Sequence, residues 1–95
     1  MPGRVLFVIA YDIADNKRRA KIARLMESMG ARVQGSVFEA YLDLKELEEL
    51  MKKAGRIIEK KNDSLRFYRI CEACRGKILT MGQGRVNQPP DVMVI

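Results

Sequence analysis

The sequence predicts an α+β fold, an antiparallel sheet carrying two helices on one face, and three observations predict it. A continuous apolar run at 5–11, rich in β-branched and aromatic residues, reads as a strand covered on both faces. Two segments bounded by a capping residue and a glycine repeat apolar side chains at helical spacing. Short alternating stretches separated by turn residues lie between and after them.

Each element follows from its residues. The run at 5–11 forms a central strand, and Asp12 ends it. Asp15 or Asn16 then caps a helix whose inner face is Ile22, Leu25, Met26 and Met29, at i, i+3, i+4 and i+7. Gly30 is expected to close that helix in the left-handed conformation. Residues 32–34 and 37–42 alternate as two short strands or one kinked strand, with Gly35-Ser36 as the turn or bulge. Asp43 and Glu46 have the spacing of a capping box, and Leu44, Leu47, Leu50, Met51 and Ala54 mark the inner face of a second helix that stops at Gly55. Residues 65–70 and 77–81 read as strands, 82–88 as a loop, and Pro89-Pro90 stiffens the step to a last apolar strand at 92–95. The order is β-α-β-β-α-β with an extra C-terminal strand, a ferredoxin-like arrangement. Residues 1–95 are expected to form a single domain, with its core in 4–82 and with 83–95 at a dimer interface.

Composition narrows the function. The chain has 95 residues, 47% hydrophobic and 32% charged, which is the balance of a soluble globular protein. A domain of this length builds one modest core and leaves apolar surface for a partner. The apolar run at 5–11 is far short of the ~20 residues that cross a bilayer, so no membrane span and no signal peptide are expected, and two cysteines point to the cytoplasm. The absence of histidine excludes His-based triads and His-containing zinc sites within one chain. With 18 Lys+Arg against 12 Asp+Glu the net charge is +6. Between 4 and 32 the bias is sharper: seven basic residues, Arg4, Lys17, Arg18, Arg19, Lys21, Arg24 and Arg32, against three acidic ones. A polyanion is the natural partner, beside the plainer reading of a solvated surface.

Asp12 is the most informative position. A carboxylate that abruptly ends an apolar strand sits at the sheet's edge, either as a turn former or as a metal ligand. One carboxylate makes a poor Mg²⁺ site, but a two-fold dimer supplies a second, and Arg18, Arg19 and Lys21 then hold the nucleic-acid backbone around a hydrated metal. Cys71 and Cys74 form a lone CxxC, read as partly buried structural thiols at a strand end. Gly82 and Gly84 form a GxG that lacks a third glycine and a following helix, so a flexible turn fits better than a phosphate cradle. The Met residues read as packing, and Phe38 and Tyr41 either stack on bases or belong to the core.

The residues Val8, Ile9, Ala10, Tyr11, Asp12, Ile13, Asp15 and Arg19, the helix ending at Gly30, the set Arg32, Val33, Gln34, Ser36, Val37 and Phe38, and the strand Phe67, Tyr68, Arg69 and Ile70 resemble the CRISPR-associated protein 2 family. The likeness covers essentially the whole chain. It implies a ferredoxin-like homodimer in which Asp12 faces its twin as the catalytic and metal-binding carboxylate for Mg²⁺ or Mn²⁺. It further implies an endonuclease of RNA or double-stranded DNA, and a scaffold that works with the CRISPR-associated integrase when new spacers are acquired in antiviral defence. Arg19, Arg32, Ser36 and Phe38 correspond to the family's site-lining positions. Lys21 stands where some members have Arg, keeping the charge and losing the bidentate fork. Gly35 lacks the aromatic of some relatives. A non-catalytic DNA-bridging subunit, or a toxin-type ribonuclease of the same fold, are the alternatives. The apolar tail at 92–95 is expected to add a strand to the partner subunit's sheet rather than its own.

Overall fold

The computed structural model describes residues 3–82. The expected loop at 83–88 and strand at 92–95 lie outside them. The elements are β1 (Val5–Asp12), α1 (Asn16–Met29), β2 (Ala31–Gln34), β3 (Val37–Leu42), α2 (Leu44–Ile57), β4 (Ser64–Ile70) and the short α3 (Glu72–Arg75). The strands form one sheet in the order β2-β3-β1-β4, antiparallel at every junction. This is the ferredoxin-like topology. β1 is central, as its unbroken apolar sequence requires.

Side chains alternate across β1. Phe7, Ile9 and Tyr11 enter the main core with Ile22 and Met26 of α1, Phe38, Ala40 and Leu42 of β3, and Leu50 and Ala54 of α2. Leu6 is only 1% exposed yet stands apart from that cluster, on the other side of the sheet. There α3 packs against β1, and Arg75 hydrogen-bonds Tyr41. Burial pushes the Tyr41 phenol up from its ordinary pKa, and Arg75 opposes the shift. Among the described residues the second face is thus covered at its Leu6 end and open at its Asp12 end.

The helix starts agree with their sequence signals. The Asp15 carboxylate accepts from the Arg18 amide at 2.9 Å, and the Asp43 carboxylate from the Glu46 amide at 2.8 Å. Glu46 answers by accepting from the Asp43 amide at 2.9 Å, which completes the capping box. The same carboxylate takes a two-pronged contact from Arg4 at 3.0 and 2.7 Å, tying the start of α2 to the start of β1.

Four expectations are corrected. Gly30 does not adopt the left-handed conformation: its φ is −162°, extended backbone open to any residue. It is glycine because β3 passes over it, so that an added Cβ would sit 2.8 Å from the Ala40 Cβ and closer still to the Glu39 carbonyl oxygen. α2 runs through Gly55 to Ile57, and Leu44 and Met51, 70% and 50% exposed, lie outside its buried face. Residues 77–81 form no strand. After β4 the chain turns into α3, with Lys77 donating its amide to the Cys74 carbonyl, and among the described residues no strand pairs with 77–81. Cys71 and Cys74 are exposed rather than partly buried, because Cys71 caps α3 and accepts from the Cys74 amide at 3.4 Å. That contact and the Cys74 thiol draw the Cys71 pKa down, while Cys74 is raised.

Asp63 is the residue that sequence reading missed. Its side chain is fully buried, and the carboxylate accepts from Arg18 at 2.7 and 3.3 Å and from the Glu59 amide at 2.8 Å. It thereby joins the first turn of α1 to the connection between α2 and β4, with the Ala14 amide also directed at it. Arg18 foremost, then these amides, hold its carboxyl below the ordinary value. A folded-state pKa below the unfolded one, about 3.9, stabilises the fold above that pH and is lost as pH falls through the folded value. Asp63→Asn is therefore expected to lower Tm at neutral pH, on the order of 10 °C, and to flatten its fall on acidification. The two melting curves, followed by circular dichroism from neutral to strongly acidic pH, should converge at the acid end. Parallel curves would show that Asp63 carries no such linkage.

Candidate nucleic-acid and metal site

Asp12 is exposed at the end of β1, opposite Ser64 in the register with β4. Residues two apart share a face, so Asp12, Ala10 and Val8 lie on the side of Leu6, away from α1 and α2, with Ser64, Arg66 and Tyr68 of β4. Glu39 and Val37 of β3 oppose Val8 and Ala10 on that same side. Val8, Ala10 and Val37 are half-buried and Tyr68 is 47% exposed, which leaves an apolar strip across an open sheet face.

The other expected site residues divide between exposed cations and structural contacts. Arg18 is engaged with Asp63, as above. Arg19 donates to the carbonyls of Ile13 at 3.1 Å and Ala14 at 3.1 Å and to the Asn16 side chain at 2.7 Å. Both arginines fix the loop that follows Asp12, so the charge expected to grip a ligand also shapes the site. Lys17, Lys21 and Arg24 are exposed on the outer face of α1. Arg32 is exposed at the β2–β3 turn, donating to the Gly35 carbonyl at 3.0 Å and to Glu27 at 3.2 Å. Its guanidinium lies 5.0 Å from the centre of the Phe38 ring. Ser36 is half-buried, and its carbonyl accepts the Tyr11 amide at 3.1 Å, so β3 is anchored one residue before Asp12.

Phe38 is corrected as a direct contact. It is 0% exposed and stacks with Tyr11 at 6.1 Å in the core, out of reach of any nucleobase. Its alternation with buried Ala40 and Leu42 was the available signal. Its influence on the surface passes through Arg32, which it supports from below.

Among the described residues no group of three or more His, Cys, Asp or Glu side chains could hold a metal. Asp12 is a hard oxygen donor in the open, the donor type that suits Mg²⁺ or Mn²⁺, and it belongs to no such group among the described residues. No helix among the described residues is long and apolar enough to cross a membrane.

Fold and site together define a class: a small ferredoxin-like protein with a strand-end carboxylate on the sheet face that α1 and α2 leave uncovered, and with exposed cations on α1 and at the β2–β3 turn. A family model described as CRISPR associated protein Cas2 matches residues 5–78, and the chain belongs to that family. It is 41% identical over 93 residues, 98% of this chain and 99% of the relative, to a protein of Thermus thermophilus named CRISPR-associated endonuclease Cas2 2. It is 40% identical, over 95% of this chain and 98% of the relative, to a CRISPR-associated endoribonuclease Cas2 3 of Synechocystis. A chain in the solved structure of a partial Cas6-RT-Cas1–Cas2 complex superposes with a TM-score of 0.78 at 29% identity, covering 96% of this chain and 99% of that one.

Proposed function

We propose that this chain is a dimeric nucleic-acid-binding subunit of CRISPR spacer acquisition in the cytoplasm, that it works with the integrase, and that it hydrolyses phosphodiester bonds of RNA or double-stranded DNA with a divalent metal. The observation that carries the reading is Asp12 at the end of a partly apolar sheet face that α1 and α2 leave uncovered. Such a face is buried most simply against a second copy of itself, an isologous contact that gives the site two Asp12 carboxylates. The names of the Thermus and Synechocystis relatives support nuclease activity, and the Cas1–Cas2 assembly supports an integrase partner. The tail at 83–95 belongs in this reading to the dimer contact.

In this reading the residues divide the labour. Asp12 from each copy holds Mg²⁺ or Mn²⁺, which when bound supplies Lewis-acid polarisation of a phosphoryl oxygen and a water of lowered pKa. Arg19 and Arg18 keep the loop behind Asp12 in place. Lys21, with Lys17 and Arg24 beside it, attracts the phosphate backbone, and Arg32 adds a cation at the hairpin turn. Ser36 steadies the strand next to the carboxylate. The lack of an acidic cluster around Asp12 among the described residues favours a second reading, a bridging subunit whose cleavage is incidental to its place in the integrase complex.

The test combines cleavage, binding and mass on the intact protein. Single-stranded RNA and double-stranded DNA should be cut with Mg²⁺ or Mn²⁺ and left intact with EDTA. Affinity should fall at least about tenfold between 50 and 200 mM salt, with little dependence on sequence. The mass in solution should be that of a dimer. Cleavage that survives EDTA would remove the metal from the reading, salt-independent affinity would remove the phosphate contacts, and a monomer would remove the paired faces. Binding without any cleavage selects the bridging reading.

A further inference from the structure

The cations expected around Asp12 lie on α1 and at the β2–β3 turn, yet the strand beside Asp12 carries one of its own. The side chains of Ala10, Tyr11, Asp12, Ser64, Arg66 and Tyr68 line a cavity of about 280 Å³ at the open end of the sheet face. Its floor is Ala10, whose small side chain leaves room between the Asp12 carboxylate and the strand opposite. Arg66 stands directly across from Ala10 in the β1–β4 register, one position diagonal to Asp12. Arg66 and Asp12 are both exposed, and no ion pair joins them.

Arg66 differs from Arg18, Arg19 and Arg32 in what it touches. Arg18 meets a carboxylate, Arg19 two carbonyls and an amide oxygen, and Arg32 a carboxylate and a carbonyl. The hydrogen bond of Arg66 goes from Nη1 to the neutral hydroxyl of Tyr68 at 3.4 Å. Among the described residues no carboxylate is bound to it, and its side chain is exposed and lines the cavity. A phosphate oxygen between a carboxylate-held metal and a guanidinium is a favourable arrangement, because the carboxylate alone would repel it.

We infer that Arg66 binds the phosphodiester placed next to Asp12, and that Tyr68 is a positioning residue that steers its guanidinium through the hydroxyl. The inference rests on the reading of Asp12 as the cleavage site and adds the substrate contact that this reading lacks. Arg69 provides an internal control. It lies on the same strand and is equally exposed, but it points to the opposite face, where it opposes Phe7 rather than Ala10.

The experiment compares Arg66→Gln, Arg66→Lys, Arg69→Gln and Tyr68→Phe with the parent, each checked for its melting temperature and mass in solution. Arg66→Gln should lose on the order of 30-fold in kcat/KM, while Mn²⁺ binding followed by electron paramagnetic resonance stays at the parent level. In EDTA, where nothing is cut, its plot of log affinity against log salt should be shallower by about one per bound phosphate contact. Arg69→Gln should match the parent in both. Arg66→Lys should keep the slope and recover only part of kcat/KM, since an ammonium lacks the fork. Tyr68→Phe should raise KM several-fold at unchanged kcat. Arg66→Gln and Arg69→Gln behaving alike in rate and slope would overturn the inference, as would Arg66→Lys at full parental rate. Should Arg66→Gln dissociate the dimer, Arg66→Lys alone decides. Should the parent fail to cut, the cleavage reading fails by itself, and the salt slopes in EDTA still decide whether Arg66 holds a phosphate.

Discussion

Asp12→Asn is expected to cut nucleic acid at least about 100-fold more slowly than the parent while folding as well. The substitution keeps the size of the side chain and removes the charge that holds a hard cation. A metal-polarised phosphoryl group and a metal-activated water are each worth several kcal/mol of barrier, and each 1.36 kcal/mol is a factor of ten. The fold is spared because Asp12 is exposed and lies at the end of its strand, outside the core. Tm should therefore stay within about 2 °C of the parent, the range of an ordinary surface change. Affinity in EDTA should hold or rise slightly, since one negative charge leaves a surface that meets a polyanion. Gel-based cleavage, thermal melts and fluorescence anisotropy on the same preparations separate the three effects. Undiminished cleavage would place the reactive centre elsewhere. Weakened binding in EDTA would make Asp12 a structural residue.

Gly30→Ala should be the most damaging small substitution in the described chain. The backbone angle is permissive, so the cost is one of space alone. The new methyl group would press on the Glu39 carbonyl oxygen and on Ala40, where the end of α1 crosses β3. Those atoms are strand backbone and a buried side chain, which cannot swing aside as a flexible surface chain would. Overpacking of this kind costs about 3 kcal/mol or more, equivalent in a domain of this size to roughly 15 °C of Tm. Gly55→Ala is the matched contrast. It lies in the last turn of α2 with nothing within 4 Å of an added Cβ. There alanine's better helix propensity should raise stability by about 0.5–1 kcal/mol. Differential scanning calorimetry of the two variants should give shifts of opposite sign. A Gly30→Ala protein that melts with the parent would mean that α1 and β3 can separate without penalty.

The contrast between these glycines marks how far local signals reach. Both were read from the sequence as helix ends, because a glycine after an apolar helical pattern commonly has that role. One is a crossing point and the other sits inside a helix. The cysteines give a similar case. Cys71 caps a four-residue helix that has too few residues to announce itself by periodicity, and that helix redirects the chain so that 77–81 never meets a strand edge.

What the sequence by itself determined was everything governed by neighbours within about one turn or one pleat: the limits of β1, the capping box at Asp43, the inner face of α1, the position of Asp12 at a strand end, and the family. These depend on spacings of two, three or four residues, which the chain displays directly. Tertiary structure alone decided which charges are engaged and which face the open surface. Arg18 and Asp63 are 45 positions apart, and no periodicity links them until the α2–β4 connection brings the carboxylate under α1. Arg66 reaches the Asp12 cavity only through the antiparallel register of β4 with β1, and Phe38 leaves the surface only because its face of β3 is the one that α1 and α2 cover. The physical reason is common to all of them. A side chain's type and local spacing are written in the chain, but its partner is set by the pairing of strands and the packing of helices, which bring together residues far apart in sequence.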